Sequence, residues 1–304
     1  MKSSKSEFPE SIPHLLTAHS YFQAAIPPRC ESRVFKTLQN SKFRTMDRDH
    51  RRRFGQNFLD AETAELLASD IPLSPGDSIL EIGPGHGALT GPLLSRGVPV
   101  TAVEIDRECV GILQEKFSAN PHFHLVNQDF LKFPIDEWLR ENPKPWLAGN
   151  LPYNVSTGIV AKVMPMLHKT HGFMCMVQYE VAERLCAEPH SRNYGSLSVW
   201  IRAHATGKIL RKIGPEHFVP KPNVDSATIL LSPRKDPLNA PAGFFDFVQL
   251  AFSQKRKVIA NPLASRYEKK SVFEALEQCG FSKNARAEEL SPENLCELYI
   301  ALNP

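Results

Sequence analysis

Residues 77–87 read DSILEIGPGHG, a short apolar run (Ile79, Leu80, Ile82) that breaks into a loop with glycine at 83, 85 and 87. Aliphatic residues running into clustered glycines read as a strand that ends in a tight turn. Glycine at such a turn lets the backbone bend sharply and come close to a ligand, because a Cβ would collide. Working outward, VPVTAVE at 98–104 has the same character, and so do 123–127, 146–149, 173–177, 197–203 and 226–231. Helical stretches fill the intervals. After Glu104, for instance, Asp106 is suited to cap a helix on which Val110, Leu113 and Phe117 share a face. Alternation of this kind predicts an α/β fold: a doubly wound, parallel-dominated Rossmann-like sheet with helices on both faces.

Beyond Ser232 the text changes. SPRKDPLNAPAG (232–243) is a proline- and charge-rich linker. Three helical segments are expected after it, near 243–257, 271–279 and 292–302, with Pro262 able to shorten the first. The last starts Ser291-Pro292-Glu293, a cap followed by proline at the first helical position. The expected organisation is therefore three parts. Residues 1–45 are an extension without periodicity, either disordered or preceding the true start at Met46. Residues 46–234 form the sheet domain, and 235–304 a small helical domain.

Of the 304 residues, 42% are hydrophobic and 23% charged, the balance of a globular protein with a full core of its own. The net charge of +3 does not by itself announce a polyanion partner. Six scattered cysteines, with no C-x-x-C pair, argue against a zinc site or a disulfide framework and fit a reducing compartment. No apolar run approaches the ~18 residues of a membrane helix. A cytoplasmic protein without metal is expected.

The glycine loop points to a nucleoside cofactor. Glu104 ends the next strand, 21 residues after Gly83, where a carboxylate can accept both hydroxyls of a ribose. The dinucleotide fingerprint is G-x-G-x-x-G, whereas Gly83-Pro84-Gly85-His86-Gly87 is G-x-G-x-G. Together with Glu81 it gives E-x-G-x-G-x-G, the first motif of class I methyltransferases, whose S-adenosylmethionine has no phosphate to seat on a helix end. Asp129, in Gln128-Asp129-Phe130 after the following strand, is placed to accept an adenine amino group.

Asn150-Leu151-Pro152-Tyr153 falls at the end of the fourth strand, on the ligand side of such a sheet. An adenine N6 lone pair is delocalised into its ring, so the amine is a poor nucleophile. The Asn150 side-chain carbonyl and a backbone carbonyl beside Pro152 can accept its two N–H bonds and aim the nitrogen. The Tyr153 ring offers a stacking face worth about 1–3 kcal/mol. Catalysis would then be positioning and dipole placement, without a strong general base.

With these motifs assembled, the chain resembles the ribosomal RNA adenine dimethyltransferase family of the bacterial KsgA type over residues 51–303. RRRFGQNFL (51–59), EIGPGHGALT, AVEID, QDFLKF, NLPYNVST, MVQYEVAERL, YGSLSV, FVPKPNVDSA, AFSQKRK and ARAEELSP follow in the family's order. The resemblance implies a cofactor site built from Gln56, Asn57, Leu59, Gly83, Gly85, Glu104, Ile105, Asp129, Phe130 and Asn150. It implies that Asn150, Leu151, Pro152 and Tyr153 hold the target base, with Phe218 stacked on its other side. The implied reaction is dimethylation, from S-adenosylmethionine, of the N6 atoms of two neighbouring adenines in a 3′-terminal hairpin loop of small-subunit (16S) RNA, by a monomer contributing to ribosome biogenesis. Tyr179, where lysine is common, and Ser196, where arginine is frequent, depart from the pattern and are expected to weaken RNA contacts only. The related antibiotic-resistance enzymes acting on large-subunit RNA share the cofactor loop and NLPY, but FSQKRK and NVDSA fit the small-subunit type better.

Basic residues cluster at Lys42–Arg53, including Arg51, Arg52 and Arg53, and at Lys255, Arg256 and Lys257. Both clusters are expected to contact RNA phosphates, which set affinity and its salt dependence.

Overall fold

A computed structural model describes residues 57–304. Arg51, Arg52, Arg53 and Gln56, assigned above to RNA and cofactor, lie outside the described residues.

A seven-stranded sheet has the spatial order β4-β3-β2-β5-β6-β9-β7. Its strands are β2 (Ile79–Ile82), β3 (Val100–Glu104), β4 (Phe123–Asn127), β5 (Trp146–Asn150), β6 (Gly172–Gln178), β7 (Ala205–Ile213) and β9 (Ser226–Pro233). The first five pair parallel, and β9 lies antiparallel between β6 and β7. Strand β2 reads as a continuous apolar run because both its faces are covered, and every residue in it is buried. The chain travels outward from β2 through β3 to β4, then returns to β5 on the other flank of β2. Such a reversal opens a crevice at the carboxyl ends of the two strands, the place where sheets of this kind bind ligands.

Two glycines make that crevice possible. A Cβ on Gly149 would lie 2.6 Å from the Ile82 carbonyl oxygen, so only glycine lets β5 run this close to β2 just before Asn150. At Gly87 φ is +81°, and a Cβ would meet the Phe117 ring at 2.5 Å. The first helix of the alternation, α1 (Ala61–Asp70), is capped by Asp60, whose carboxylate accepts from Thr63 N at 2.8 Å. Helix α2 (Thr90–Ser95) leaves the glycine loop, and α3 (Arg107–Phe117) is capped by Asp106, as its sequence suggests. Helices α4 (Ile135–Glu141), α5 (Ser156–Val163) and α6 (Tyr179–Leu185) complete the alternation.

Residues 197–203, expected as a strand, instead belong to helix α7 (Ser196–His204). Leu197 and Ile201 face the core over the sheet, whereas Val199 faces a second core among the C-terminal helices. Because both faces are covered, Leu197, Val199, Ile201 and Ala203 can alternate with Ser198, Trp200 and Arg202, a period of two that reads as a strand. The strand lies just after it, in β7, whose charged Lys208, Arg211 and Lys212 mark an edge rather than a core strand.

The C-terminal helices are α8 (Phe244–Ala251), α9 (Ala260–Leu263), α10 (Lys269–Gln278) and α11 (Pro292–Leu302). The first ends well short of 257. After Ala251 the chain turns, and Arg256 adopts a left-handed φ of +69° that no helix continues through. Pro262 therefore sits in a separate short helix, α9, and does not end α8. Helix α11 is capped by Ser291 with Pro292 at its first position, as expected. Fully buried Tyr194, from the segment before α7, enters this second core and donates its hydroxyl to the Leu290 carbonyl at 3.1 Å.

Finally, Phe58–Leu59 (β1) pairs antiparallel with Phe218–Val219 (β8), forming a two-stranded ribbon apart from the main sheet.

Candidate active site

At the crevice between β2 and β5 lies a largely apolar cavity of about 220 Å³. Its floor is the glycine loop, in which Gly83, Gly85 and Gly87 all hold positive φ. A Cβ on Gly85 would press against the Phe58 ring at 3.0 Å, so the loop is kept thin where β1 crosses it. The Phe58 ring stacks on His86, with centroids 3.7 Å apart and planes within 13°. Neither aromatic was singled out from sequence, although Phe58 sits inside the RRRFGQNFL motif.

Glu104, at the end of β3, is buried and oriented by two backbone donors. Gly85 N donates to one carboxylate oxygen at 2.9 Å and Asp106 N to the other at 2.8 Å. Burial pushes its carboxyl up from the usual range, and the hydrogen bonds from Asp106 and Gly85 oppose that rise. Each oxygen keeps a second lone pair, so a pair of vicinal hydroxyls is the complementary ligand. Glu81 lies deeper. Burial raises its carboxyl to about 8, against the hydrogen bond that the Thr90 hydroxyl donates to it at 2.7 Å. Of the two acids, Glu104 is the one that the glycine loop orients, whereas Glu81 is held by Thr90.

On the far wall, Asp129 shapes its own loop by accepting from Leu131 N at 2.9 Å. Gln128, Phe130 and Leu131 line the cavity with it, and Ile105 stands 45% exposed opposite. An apolar slot with a carboxylate at its end fits a planar base with an exocyclic amine.

The sheet's fourth parallel strand delivers Asn150 to the same cavity. Its amide nitrogen donates to the Asn57 carbonyl at 2.9 Å, which fixes the side chain and leaves Oδ1 as an acceptor. Tyr153 is set by a 2.6 Å hydrogen bond between its hydroxyl and Ser226 Oγ at the start of β9. Leu151 and Pro152 also line the cavity, the Leu151 side chain being turned into the sheet core.

Thus Asn57, Leu59, Gly83, Gly85, Glu104, Ile105, Asp129, Phe130 and Asn150–Tyr153 converge on one cavity. Phe218 does not. Its ring is 2% exposed and packs with Leu59 and Leu67 in the core, since its β8 register with Leu59 turns it inward. Lys255, Arg256 and Lys257 lie in the turn after α8, and Lys255 already donates to the Arg192 carbonyl at 3.0 Å. Tyr179 carries the Lys212 ammonium 4.9 Å above its ring, and that ammonium is also paired with Asp225 at 2.7 Å.

No helix among the described residues is long and apolar enough to cross a membrane, and none of their His, Cys, Asp and Glu groups could hold a metal ion.

A doubly wound sheet whose switch point joins a G-x-G-x-G loop, an acidic strand end and an N-L-P-Y turn defines a class I methyltransferase. Residues 48–303 match the family described as ribosomal RNA adenine dimethylase, and the chain belongs to that family of enzymes. It is 36% identical over 249 residues to the ribosomal RNA small subunit methyltransferase A of Clostridium botulinum, covering 80% of this chain and 90% of that one. It is 39% identical over 252 residues to the protein of the same name from Hydrogenovibrio crunogenus, covering 80% and 93%. Among solved structures it resembles the 23S rRNA methyltransferase ErmE (TM-score 0.63, 29% identity, 82% of this chain and all of that one). A dimethyladenosine transferase from Plasmodium falciparum shares the fold (TM-score 0.69, 20% identity, 82% of this chain and 98% of that one).

Proposed function

We propose that this enzyme dimethylates N6 of two adjacent adenines in the 3′-terminal hairpin loop of small-subunit (16S) rRNA, using S-adenosylmethionine. It would work as a cytoplasmic monomer in ribosome biogenesis. The observation that carries the reading is the tethered amide of Asn150. With its nitrogen held on Asn57, Oδ1 is the acceptor offered to an amine entering the cavity.

S-adenosylmethionine would supply an electrophilic methyl on a sulfonium. Glu104 would hold its ribose hydroxyls, and Asp129 with Ile105 and Phe130 its adenine, while Gly83 and Gly85 keep the loop thin enough for close approach. The cavity suits such a ligand: it is largely apolar, with Glu104, Asp129 and Asn150 among its polar lining. Asn150 Oδ1 and the Leu151 carbonyl would accept the two N–H bonds of the target amine and hold its nitrogen toward the methyl. Tyr153, fixed through Ser226, would stack under the base. A base leaves its stack most cheaply from a loop, which suits a hairpin substrate.

Residues 46–234 would form the catalytic domain and 235–304 the part that selects the RNA surface, with Arg256 and Lys257 on phosphates. The names of the relatives at 36–39% identity favour the small subunit over the large.

The test supplies labelled S-adenosylmethionine with undermethylated small subunits, large subunits and free small-subunit RNA. Label recovered as N6-dimethyladenosine in small-subunit RNA is expected. Label in large-subunit RNA, or none despite cofactor binding, refutes the proposal.

A further inference from the structure

Lys162 lies outside the cavity, on the helix (α5) that leaves the N-L-P-Y turn, and its side chain is half-buried. Its Nζ donates to three backbone carbonyls of one loop: Phe130 at 2.8 Å, Leu131 at 2.7 Å and Phe133 at 2.6 Å. An ammonium has three donors, so all of them converge on that loop. The loop is the one between β4 and α4 whose Gln128, Asp129, Phe130 and Leu131 form the far wall of the cavity. From within, the Asp129 carboxylate takes Leu131 N, and the Asp129 carbonyl takes Lys132 N and Phe133 N. The Phe130 carbonyl also takes Phe133 N and the Phe133 carbonyl takes Ile135 N, and Lys162 adds a second donor to each besides holding the Leu131 carbonyl. The Phe130 ring lies 5.5 Å from the same ammonium.

We propose that Lys162 is a positioning residue that ties the loop seating the adenine end of the cofactor to the helix carrying the amine-holding turn. It touches neither ligand. It sets the distance between the Asp129 wall and Asn150–Tyr153, because α5 begins at Ser156, whose hydroxyl returns to the Tyr153 carbonyl at 3.2 Å. A lysine serves where an uncharged residue would not: three carbonyls turned to one point need a cation with three donors. Burial lowers the Lys162 ammonium to about 8, and the attraction of Asp129 opposes that fall.

The inference rests on the assignment of the cavity to the cofactor, and the experiment separates the two. Binding of S-adenosylhomocysteine is measured by calorimetry on full-length wild type and on Lys162→Met, Lys162→Arg and Asp129→Ala, with thermal melts and steady-state kinetics alongside. Lys162→Met is expected to weaken binding at least tenfold and to raise KM for S-adenosylmethionine in step. Its kcat at saturation should stay within about threefold and its KM for RNA should be unchanged, because the reacting groups stay in place. Lys162→Arg keeps charge and donors and should recover most of the affinity. Should Lys162→Met fold poorly, Lys162→Gln carries the same comparison. Weakened binding in Asp129→Ala with Lys162→Met (or Lys162→Gln) within twofold of wild type overturns the role of Lys162 alone. Unchanged binding in both overturns the cofactor assignment as well.

Discussion

Replacing Asn150 by alanine removes two interactions of different kinds. The first is the Oδ1 acceptor in the cavity, which in the proposed role of Asn150 the reaction needs only while the amine is held for attack. Deleting one preorganised polar partner of a reacting group costs about 10²–10³ in kcat, or about 2.7–4 kcal/mol. The second is the 2.9 Å bond from Nδ2 to the Asn57 carbonyl, a net contribution of about 0.5–1.5 kcal/mol. For a chain of this size that corresponds to a fall in Tm of about 1–6 °C. The two losses are separable. Single-turnover transfer of labelled methyl at saturating cofactor and RNA reads the first, and a melt reads the second. Asn150→Asp keeps an acceptor but cannot donate to Asn57, so its rate should fall between wild type and Asn150→Ala. A single-turnover rate for Asn150→Ala within threefold of wild type would refute the positioning argument.

Other substitutions test the surrounding parts. Tyr153→Ala should lose about 1–3 kcal/mol of base stacking and show it in kcat/KM for RNA, whereas Tyr153→Phe keeps the ring and loses only the bond to Ser226. Equal defects in the two variants would remove the stacking role. Glu81 has a folded-state value near 8 against an ordinary 4.5, so between those pH values the folded chain holds a proton that the unfolded chain has released. Stability from this group therefore falls as pH rises from 4.5 to 8, by a few kcal/mol. Glu81→Gln should flatten that part of the denaturation profile and gain on wild type at pH 8; parallel profiles would show that Glu81 ionises normally. Gly87→Ala forces a side chain into φ +81° and against Phe117, and should cost about 1–3 kcal/mol or more in a denaturant melt. A stable Gly87→Ala would mean that the α2–α3 packing yields easily.

The parts of the fold legible in the sequence are those with one physical cause. Strands β2, β3, β5 and β6 are short apolar runs ending in polar or glycine residues, and their reading needs only burial. The glycine loop, Glu104, Asp129 and Asn150 are legible because a sheet that reverses direction places strand ends together. Helix α7 reads as a strand because Leu197 and Ile201 face one core and Val199 another, so its apolar residues also alternate with a period of two. Strand β7 escaped notice because an edge strand with Lys208, Arg211 and Lys212 lacks an apolar run. The burial of Phe218 was not legible because which way a two-residue strand turns its side chain depends on its register with a partner 159 residues earlier, Leu59. Nothing in the spacing of Lys162 announces it either, since its partners are backbone carbonyls, which every residue has.

That ribbon has a consequence in time. Phe58 and Leu59 line the cavity, yet their strand has no partner until Phe218 and Val219 exist. On a chain emerging in order from its ribosome, the glycine loop and the N-L-P-Y turn are made long before the element that holds β1 across them. The cavity is therefore completed late, by a contact between distant parts of the chain. A nascent chain that stops before residue 219 would carry every acidic and glycine determinant of the site but lack its front wall. Capacity to retain a nucleoside should accordingly appear abruptly, within a few residues of added length.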